Sequence, residues 1–140
     1  MKIVIFGASH GIGYQLLKLA LEQGHEVTAL LRNPNKLKTD DKKIHVIKGD
    51  ILDPASVAHA ITGQDSICIC IGIPPSRKPV DVFSKGIKNV LTSMGNNNAQ
   101  KLIVITGIGA GDSKGHGGFL YDRVINPLLL KETEVSPFLI

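Results

Sequence analysis

The sequence predicts an α/β domain built on a doubly wound parallel sheet with helices on both faces. Short apolar runs alternate with helical patterns along the chain, and a glycine-rich turn directly follows the first run. At 140 residues the chain is long enough to form one domain with its own core. Right-handed crossovers distribute the helices over both faces of such a sheet. We therefore expect a ligand site outside the carboxyl ends of the strands, where the strand order reverses.

The first strand–helix–strand unit occupies the N-terminal part of the chain. The run "KIVIF" (2–6) is short, β-branched and bounded by glycine, which is typical of a buried strand. The segment "YQLLKLALEQG" (14–24) predicts a helix that ends at Gly24. Its apolar face consists of Leu16, Leu17, Ala20 and Leu21. The run "EVTALLR" (26–32) predicts the second strand, closed by the turn residues "NPN".

A third strand and a second helix follow. The run "KIHVIKGD" (43–50) predicts the strand. The segment 53–62 begins with Asp53, a good N-cap residue, and has Pro54 at the first helical position. Gly63 then ends this helix.

The remaining elements repeat the alternation. The continuously apolar run "DSICICIG" (65–72) suits a strand in the middle of a parallel sheet. A helix over 80–94 follows, and its inner face is predicted at Val82, Phe83, Ile87, Val90, Leu91 and Met94. The run "KLIVITG" (101–107) predicts a fifth strand. A glycine-rich loop then leads into a further helix that begins with "FLYDRVINPLLLK", which Pro127 kinks or interrupts.

Composition excludes several functional classes. The net charge of +4 is mild, and the sequence contains no cluster of Lys and Arg with interleaved aromatic residues. Nucleic-acid binding is therefore not predicted. The first apolar run is too short for a signal peptide, and no stretch approaches membrane-spanning length, so we expect a cytoplasmic protein without membrane contact. Cys68 and Cys70 share one strand face, too close along the chain for an ordinary disulfide, and are expected to be buried reduced thiols. No metal site is predicted.

The glycine-rich turn predicts a dinucleotide-binding loop. Gly7, Gly11 and Gly13 form the spacing GxxxGxG between a predicted strand and a predicted helix. Such a turn needs a positive φ, and a pyrophosphate approaches the backbone where no Cβ intervenes. The helix that starts near Ile12 directs its free N–H groups at the anion. The predicted cofactor-binding residues of this loop are Gly7, Ser9, His10, Gly11, Ile12 and Gly13.

Two basic residues bear on the identity of the dinucleotide. An acidic residue about twenty positions beyond the glycines binds the ribose 2′-OH of NAD. This chain has Arg32 nineteen positions beyond Gly13, and a guanidinium matches a 2′-phosphate. NADP(H) is therefore the predicted cofactor, and NAD(H) is the alternative. The competing interpretation of Arg32 is an exposed arginine at a strand end that has no role in binding. Three roles remain open for His10: a donor to a phosphate oxygen, a sensor of the 2′-phosphate, or a solvated loop residue.

Further cofactor contacts are predicted at the ends of the third and fourth strands. Asp50 is expected beside the adenine, with Ile51 under the ring. The competing interpretation is that Asp50 or Asp53 caps the following helix, and for Asp53, next to Pro54, the cap is preferred. Gly72 and Ile73 are expected beneath the ribose and the nicotinamide, and Thr106 is a further predicted cofactor contact near the nicotinamide.

The motifs "GASHGIG", "LLRNPNKL", "KGDILDPASV" and "ITGQDSICICIG" resemble those of atypical short-chain dehydrogenase/reductases. Within them the chain is most similar to NAD(P)H-binding, NmrA-like and biliverdin reductase B/flavin reductase-like proteins, over nearly all of residues 1–130. The resemblance implies a Rossmann-like sheet of strand order 3-2-1-4-5 and NADP(H) binding. It also implies hydride transfer to flavins, tetrapyrroles or quinone-like acceptors in some members, and cofactor sensing that regulates a protein partner in others.

Candidate catalytic residues are few. Classical members of the superfamily use a Tyr-x-x-x-Lys pair as general acid. The same string from Tyr14 to Lys18 lies in the first helix and is a chance match, while Tyr121 is followed four residues later by Ile125. Thr106, at the end of the fifth strand, and His116, in the following loop, are the candidates that remain. The alternative for the loop is a solvated segment without chemistry.

Relatives of this kind are expected to run well beyond this length. We therefore expect one domain over residues 1–140, with the substrate-binding C-terminal part largely absent. An NADPH-dependent reductase acting on a small-molecule acceptor is the leading hypothesis. A non-catalytic NADP(H) sensor with a protein partner and an inactive truncated reductase are the alternatives.

Overall fold

Five parallel strands form a single sheet in a computed structural model that describes residues 1–39, 41, 43–72, 81–95, 97 and 101–105. The strands are β1 (Lys2–Phe6), β2 (Glu26–Leu31), β3 (Ile44–Lys48), β4 (Ser66–Ile69) and β5 (Lys101–Val104). Their order is β3-β2-β1-β4-β5, and every neighbouring pair is parallel. The predicted Rossmann-like fold and strand order 3-2-1-4-5 are confirmed.

Strand β1 is the centre of the sheet. Ile5 is paired with Ala29 of β2 on one side and with Cys68 of β4 on the other. Residues 4–6 are buried because the strand has neighbours on both edges and helices on both faces. The continuous apolar run of β1 follows from this position.

Three helices lie among the described residues: α1 (Gly11–Glu22), α2 (Pro54–Ile61) and α3 (Val82–Gly95). Alternate strand residues face opposite sides of a sheet, and each side has its own core here. Helix α1 packs through Leu17 and Ala20 on the face that carries Ile5 and Cys68. Helices α2 and α3 cover the opposite face, where the core residues are Val4, Phe6, Leu30, Ile67, Ile69, Val57, Ile61 and Val90. The predicted placement of helices on both faces is confirmed.

The helix ends form where the sequence predicts them. Helix α1 ends in a Schellman arrangement: Gly24 has a φ of +77°, and the His25 N–H bonds the Ala20 carbonyl at 2.9 Å. Asp53 is the N-cap of α2, and its carboxylate accepts hydrogen bonds from the backbone N–H groups of Ala55 and Ser56. Gly63, with a φ of +73°, follows the last turn of α2.

The sequence-based boundaries differ from the structure in a systematic way. Strands β2 to β5 each end before the carboxyl end of the apolar run that predicts them; β2 ends at Leu31 and β4 at Ile69, for example. Helix α1 starts three residues earlier than its apolar pattern, because the glycine loop contributes its first turn. The predicted inner-face position of Leu91 is wrong: its side chain is 45% exposed. Leu91 lies about 100° around the helix from the buried Val90.

No helix within the described ranges is long and apolar enough to cross a membrane. Cys68 is buried and Cys70 partly buried, and both thiols are free, as the sequence predicts.

Candidate functional site

An open cleft of about 240 Å³ lies at the carboxyl ends of β1, β2, β3 and β4. From β1 the chain first adds strands toward β3 and then crosses to β4, so the strand order reverses beside β1. Ligands of open α/β sheets bind at such a switch point. The predicted cofactor residues that line the cleft are Gly7, Ser9, His10, Arg32, Asp50, Ile51 and Gly72.

Gly7 turns the chain sharply away from β1. Its φ is +91°, and a Cβ at this position would lie 2.6 Å from the carbonyl oxygen of Cys70. A side chain would therefore collide with the backbone of the segment that follows β4, and only glycine fits.

The other two glycines of the loop have different roles. A Cβ on Gly13 would overlap the carbonyl oxygen of Gly7 and lie 3.1 Å from the Cβ of Cys70, so Gly13 allows α1 to pack against the end of the sheet. Gly11 has a φ of +59°, but a Cβ there would meet nothing within 4 Å. The first and third glycines are thus fixed by packing, while the second supplies a left-handed backbone and leaves open space beside the loop.

The first turn of α1 is suited to an anion. His10 is the N-cap residue, but its side chain makes no capping hydrogen bond, and the first turn contains no acidic residue. The ring nitrogen Nδ1 of His10 instead shares a hydrogen bond of 2.9 Å with the Ser9 hydroxyl. The free N–H groups at the start of this 12-residue helix therefore keep their partial positive charge for a ligand.

Arg32 follows the last residue of β2 and is exposed at the edge of the cleft. It makes no ion pair with any residue in the described part of the chain. Asn33 caps a single 3-10 turn over Pro34–Lys36, and its side-chain oxygen accepts a hydrogen bond from the Asn35 N–H at 3.1 Å. Arg32 therefore brings a guanidinium to the same cleft as the glycine loop, and within the described ranges no carboxylate is paired with it.

Asp50 and Ile51 also line the cleft. One carboxylate oxygen of Asp50 accepts a hydrogen bond from the Leu52 N–H at 3.0 Å, and Asp50 also lines the cleft. Of the two acidic residues considered as helix caps, Asp53 performs that role, as preferred from the sequence. Ile51 is buried and presents an apolar surface at the base of the cleft.

Two residues of α3 hold Ile51 in place, and the sequence reasoning missed both. The side-chain amide of Asn89 donates a hydrogen bond to the Ile51 carbonyl at 3.0 Å. A Cβ on Gly86 would lie 3.1 Å from the Ile51 side chain, so glycine lets α3 approach closely. A glycine inside a predicted amphipathic helix was the available signal for this close approach.

Gly49 was also missed. A Cβ there would lie 2.7 Å from the Cβ of Ser56 and 2.9 Å from Cδ1 of Leu30, so α2 packs directly over the end of β3. Its position in the sequence, immediately after a strand and before Asp50, matches that of Gly7 after β1. The repeated pattern of strand followed by glycine was the available signal.

Titration of the buried and capping groups follows from their surroundings. Burial raises the pKa of Cys68 to about 11, with the neighbouring Cys70 thiol adding to the effect, and burial also raises the pKa of Cys70. Both thiols are thus protonated near neutral pH and are poor nucleophiles. Hydrogen bonds from Ser56 lower the pKa of Asp53; the hydroxyl has the larger effect and the backbone N–H the smaller one.

No group of three or more His, Cys, Asp or Glu residues in the described ranges is arranged to hold a metal ion.

Several predicted site residues do not line the cleft or cannot be compared with it. Gly11, Ile12 and Gly13 form the first turn of α1, and Ile12 is 62% exposed without being a lining residue. Ile73, Thr106 and His116 lie outside the described residues, as do Tyr121 and the predicted loop and helix after β5.

Sheet topology, glycine loop and switch-point cleft together define a dinucleotide-binding domain of Rossmann type. Residues 7–136 match the model of a family described as NAD(P)H-binding. The chain belongs to this NAD(P)H-binding family. The predicted resemblance to atypical short-chain dehydrogenase/reductases is thereby confirmed as far as membership of an NAD(P)H-binding family. The NmrA-like subtype stays a prediction.

Individual relatives agree with this class. The chain is 29% identical over 110 residues to YwnB, an uncharacterized protein of Bacillus subtilis, covering 79% of this chain and 49% of YwnB. It is 27% identical over 119 residues to cinnamoyl-CoA reductase 1 of Petunia hybrida, covering 77% of this chain and 35% of the reductase. The chain spans half or less of the length of these curated relatives.

A solved structure extends the comparison. ChuY, an anaerobillin reductase of Escherichia coli O157:H7, superposes with a TM-score of 0.74 at 20% sequence identity. The match covers 94% of this chain and 62% of ChuY. At this identity the likeness is one of fold.

Proposed function

We propose that the protein binds NADP(H) in preference to NAD(H) and acts as an NADPH-dependent reductase of a flavin, tetrapyrrole or quinone-like acceptor. The observation that carries the cofactor preference is that Arg32 lines the same cleft as the glycine loop. On this proposal the pyrophosphate lies at the start of α1 and the 2′-phosphate of the adenosine half lies against Arg32.

The charges around the cleft support NADP(H). A carboxylate at the end of β2 would bind a ribose 2′-OH and repel a 2′-phosphate, but this chain has a guanidinium there. A charge-assisted hydrogen bond to a phosphate contributes about 1.5–3 kcal/mol. His10, which is hydrogen-bonded to Ser9 and also lines the cleft, would be a second donor for phosphate oxygens.

The rest of the nucleotide would follow the ends of the strands. The adenine would lie on Ile51 beside Asp50, a pairing of apolar surface and hydrogen-bond acceptor that suits an aminopurine. The ribose and nicotinamide would extend past Gly72 toward Ile73. A Cβ on Gly72 would meet nothing within 4 Å, so the backbone at this point is open to a ligand.

The reaction rests on cofactor chemistry more than on side-chain catalysis. When bound, NADPH would supply a hydride for the acceptor, and a proton would complete the reduction. The protein would hold the hydride donor and the acceptor close together and in the correct orientation. Thr106 and His116 are the proposed groups that orient the acceptor. The reductases among the relatives support this class of reaction, and the cytoplasm is its proposed location.

The cofactor half of the proposal is tested by nucleotide titration. Calorimetry with NADPH and NADH should give tighter binding of NADPH. Arg32→Ala should weaken NADPH about ten- to hundredfold and change NADH little. Lys101→Ala is the matched control: it removes an exposed positive charge at the start of β5 that does not line the cleft, and should leave both affinities unchanged. Equal affinity of the wild type for the two nucleotides would remove the assignment of Arg32.

The reductase half is tested by turnover. NADPH oxidation should be saturable with at least one acceptor from a panel of FMN, biliverdin and a benzoquinone. Tight NADPH binding with no turnover on any acceptor would instead support the second candidate, a non-catalytic NADP(H) sensor. That candidate has its own support, since the cleft lining described above consists of groups suited to holding a nucleotide.

A further inference from the structure

The side chain of Tyr14 joins helix α1 to the segment that carries Arg32. The hydroxyl of Tyr14 donates a hydrogen bond to the backbone carbonyl of Lys38 at 3.0 Å, joining residues 24 positions apart. We call residues 32–38 the arginine arm. Its first residue, Arg32, lines the cleft, and its last residue is held by α1.

The arginine arm is a stiff connection between these two points. The Lys36 N–H bonds the Asn33 carbonyl at 3.1 Å, and the Leu37 N–H bonds the Pro34 carbonyl at 3.0 Å. The Asn33 side chain and the ring of Pro34 fix the start of this turn. Leu37 is partly buried and packs against the core beneath α1. These hydrogen bonds and the packing of Leu37 limit the freedom of the chain between Lys38 and Arg32, so the position of Lys38 bears on that of Arg32.

The ring of Tyr14 is supported by its surroundings on α1. It is half-buried, one residue beyond Gly13, and the Lys18 ammonium lies 5.8 Å from the centre of its ring. This distance fits a cation–π contact across one helical turn. The Tyr-x-x-x-Lys string, excluded as a catalytic pair from its position in the sequence, thus forms a contact on the outside of α1 that supports the tyrosine ring.

We propose that Tyr14 is a positioning residue that determines the preference for NADP(H) over NAD(H). The inference rests on the proposed function. The pyrophosphate and the 2′-phosphate of NADP(H) are attached to the same ribose, so their separation varies only over a short range, and Arg32 must stand at a matching offset from the start of α1. The Tyr14 hydroxyl sets this offset by joining α1 to the far end of the arginine arm. NAD(H) has no 2′-phosphate, so its binding does not depend on where the arm lies.

The test uses Tyr14→Phe, which keeps the ring, its packing and the Lys18 contact and removes only the hydroxyl. The dissociation constant for NADPH should rise about three- to tenfold, because the ordering of the arm that this one hydrogen bond supplies in the free protein must then be supplied on binding, and that for NADH should not change. In the nucleotide-free protein, amide hydrogen exchange at Lys36 and Leu37 should accelerate. In the Arg32→Ala background, Tyr14→Phe should have no further effect on NADPH binding.

Thr62→Val is the matched control. The Thr62 hydroxyl donates to the Ala58 carbonyl at 2.8 Å, so this variant also removes a hydroxyl-to-carbonyl hydrogen bond, but at the end of α2. It should alter neither the ratio of nucleotide affinities nor exchange in the arginine arm.

The possible failures are distinguishable. A wild type that binds both nucleotides equally, or neither, overturns the proposed NADP(H) preference and with it the specificity role of Tyr14. Amide exchange in the arginine arm still measures the effect of the Tyr14–Lys38 hydrogen bond in that case. A wild type that prefers NADPH, with the same preference in Tyr14→Phe, overturns the role of Tyr14 alone. Equal weakening of NADPH and NADH in Tyr14→Phe also overturns it, since it shows a general structural effect.

Discussion

Asn89 of α3 holds Ile51 at the base of the cleft, with its side-chain amide 3.0 Å from the Ile51 carbonyl. Asn89→Ala should leave this carbonyl, on a buried residue, without its partner and lower the free energy of unfolding by about 1–3 kcal/mol. Because Ile51 is the proposed adenine platform, NADPH, NADH and AMP should all bind more weakly. Calorimetry with the three ligands and urea unfolding measure the two effects.

The control for Asn89 comes from the same region of the chain. Asn97→Ala removes an amide hydrogen bond of 2.8 Å to the Ser93 carbonyl, away from the cleft. It should affect stability and leave nucleotide affinity unchanged. Unchanged affinity for all three ligands in Asn89→Ala would contradict the platform role.

The glycines of the loop should differ in their sensitivity to alanine. In Gly13→Ala the new methyl group meets the Gly7 backbone, which cannot rotate away, so the loss of stability should be about 3 kcal/mol or more. In Gly11→Ala the methyl group has space and only the positive φ is unfavourable, so the loss should be about 1–2 kcal/mol. Urea unfolding of the two variants gives the comparison, and equal losses would be inconsistent with the packing described for Gly13.

The N-cap of α2 predicts a pH dependence of stability at acid pH. The pKa of Asp53 is lower in the folded protein than its ordinary value of 3.8, so its contribution is present above that value and is lost as pH falls through the folded pKa. Asp53→Ala should be less stable than the wild type at neutral pH, and the gap should close below about pH 3.8. Asp53→Asn keeps an acceptor oxygen without a titrating group and should retain stability at neutral pH. A gap that stays constant down to acid pH would rule out this linkage.

Cys68 predicts a loss of stability at alkaline pH. Its pKa rises from an ordinary 9.0 to about 11 on folding, so the buried thiol favours the folded state below pH 9, and this contribution is lost between about pH 9 and 11. Cys68→Ala lacks this titration. The stability advantage of the wild type over Cys68→Ala should therefore shrink as pH rises through that window, as followed by urea unfolding at each pH. An advantage that does not vary with pH would show that the thiol titrates alike in both states.

The sequence was informative where local chemistry decides the outcome. Short apolar runs located the five strands of the described sheet, and Asp53, Gly24 and Gly63 located helix ends, because these signals act within one turn of the chain. The spacing of Gly7, Gly11 and Gly13 and the position of Arg32 predicted much of the cleft lining. The strand order came from the resemblance, since periodicity alone does not order parallel strands.

Contacts between distant segments were not predictable in the same way. The bond from Tyr14 to Lys38, the support of Ile51 by Asn89 and the packing of Gly49 against Ser56 each join elements far apart in sequence. The inner face of α3 was misjudged at Leu91 because an apolar residue beside the buried stripe satisfies the helical pattern almost as well as one inside it.

The close packing of Gly7 and Gly13 with the Cys70 backbone reduces the entropy that the loop loses when it binds a ligand. The loop is wedged between the end of β4 and the first turn of α1, and the Cys70 N–H also bonds the Phe6 carbonyl at 2.8 Å. Its backbone has therefore lost its conformational entropy during folding, before any anion arrives. A phosphate meets donors that are already aligned, so little of its binding energy is spent on ordering the protein.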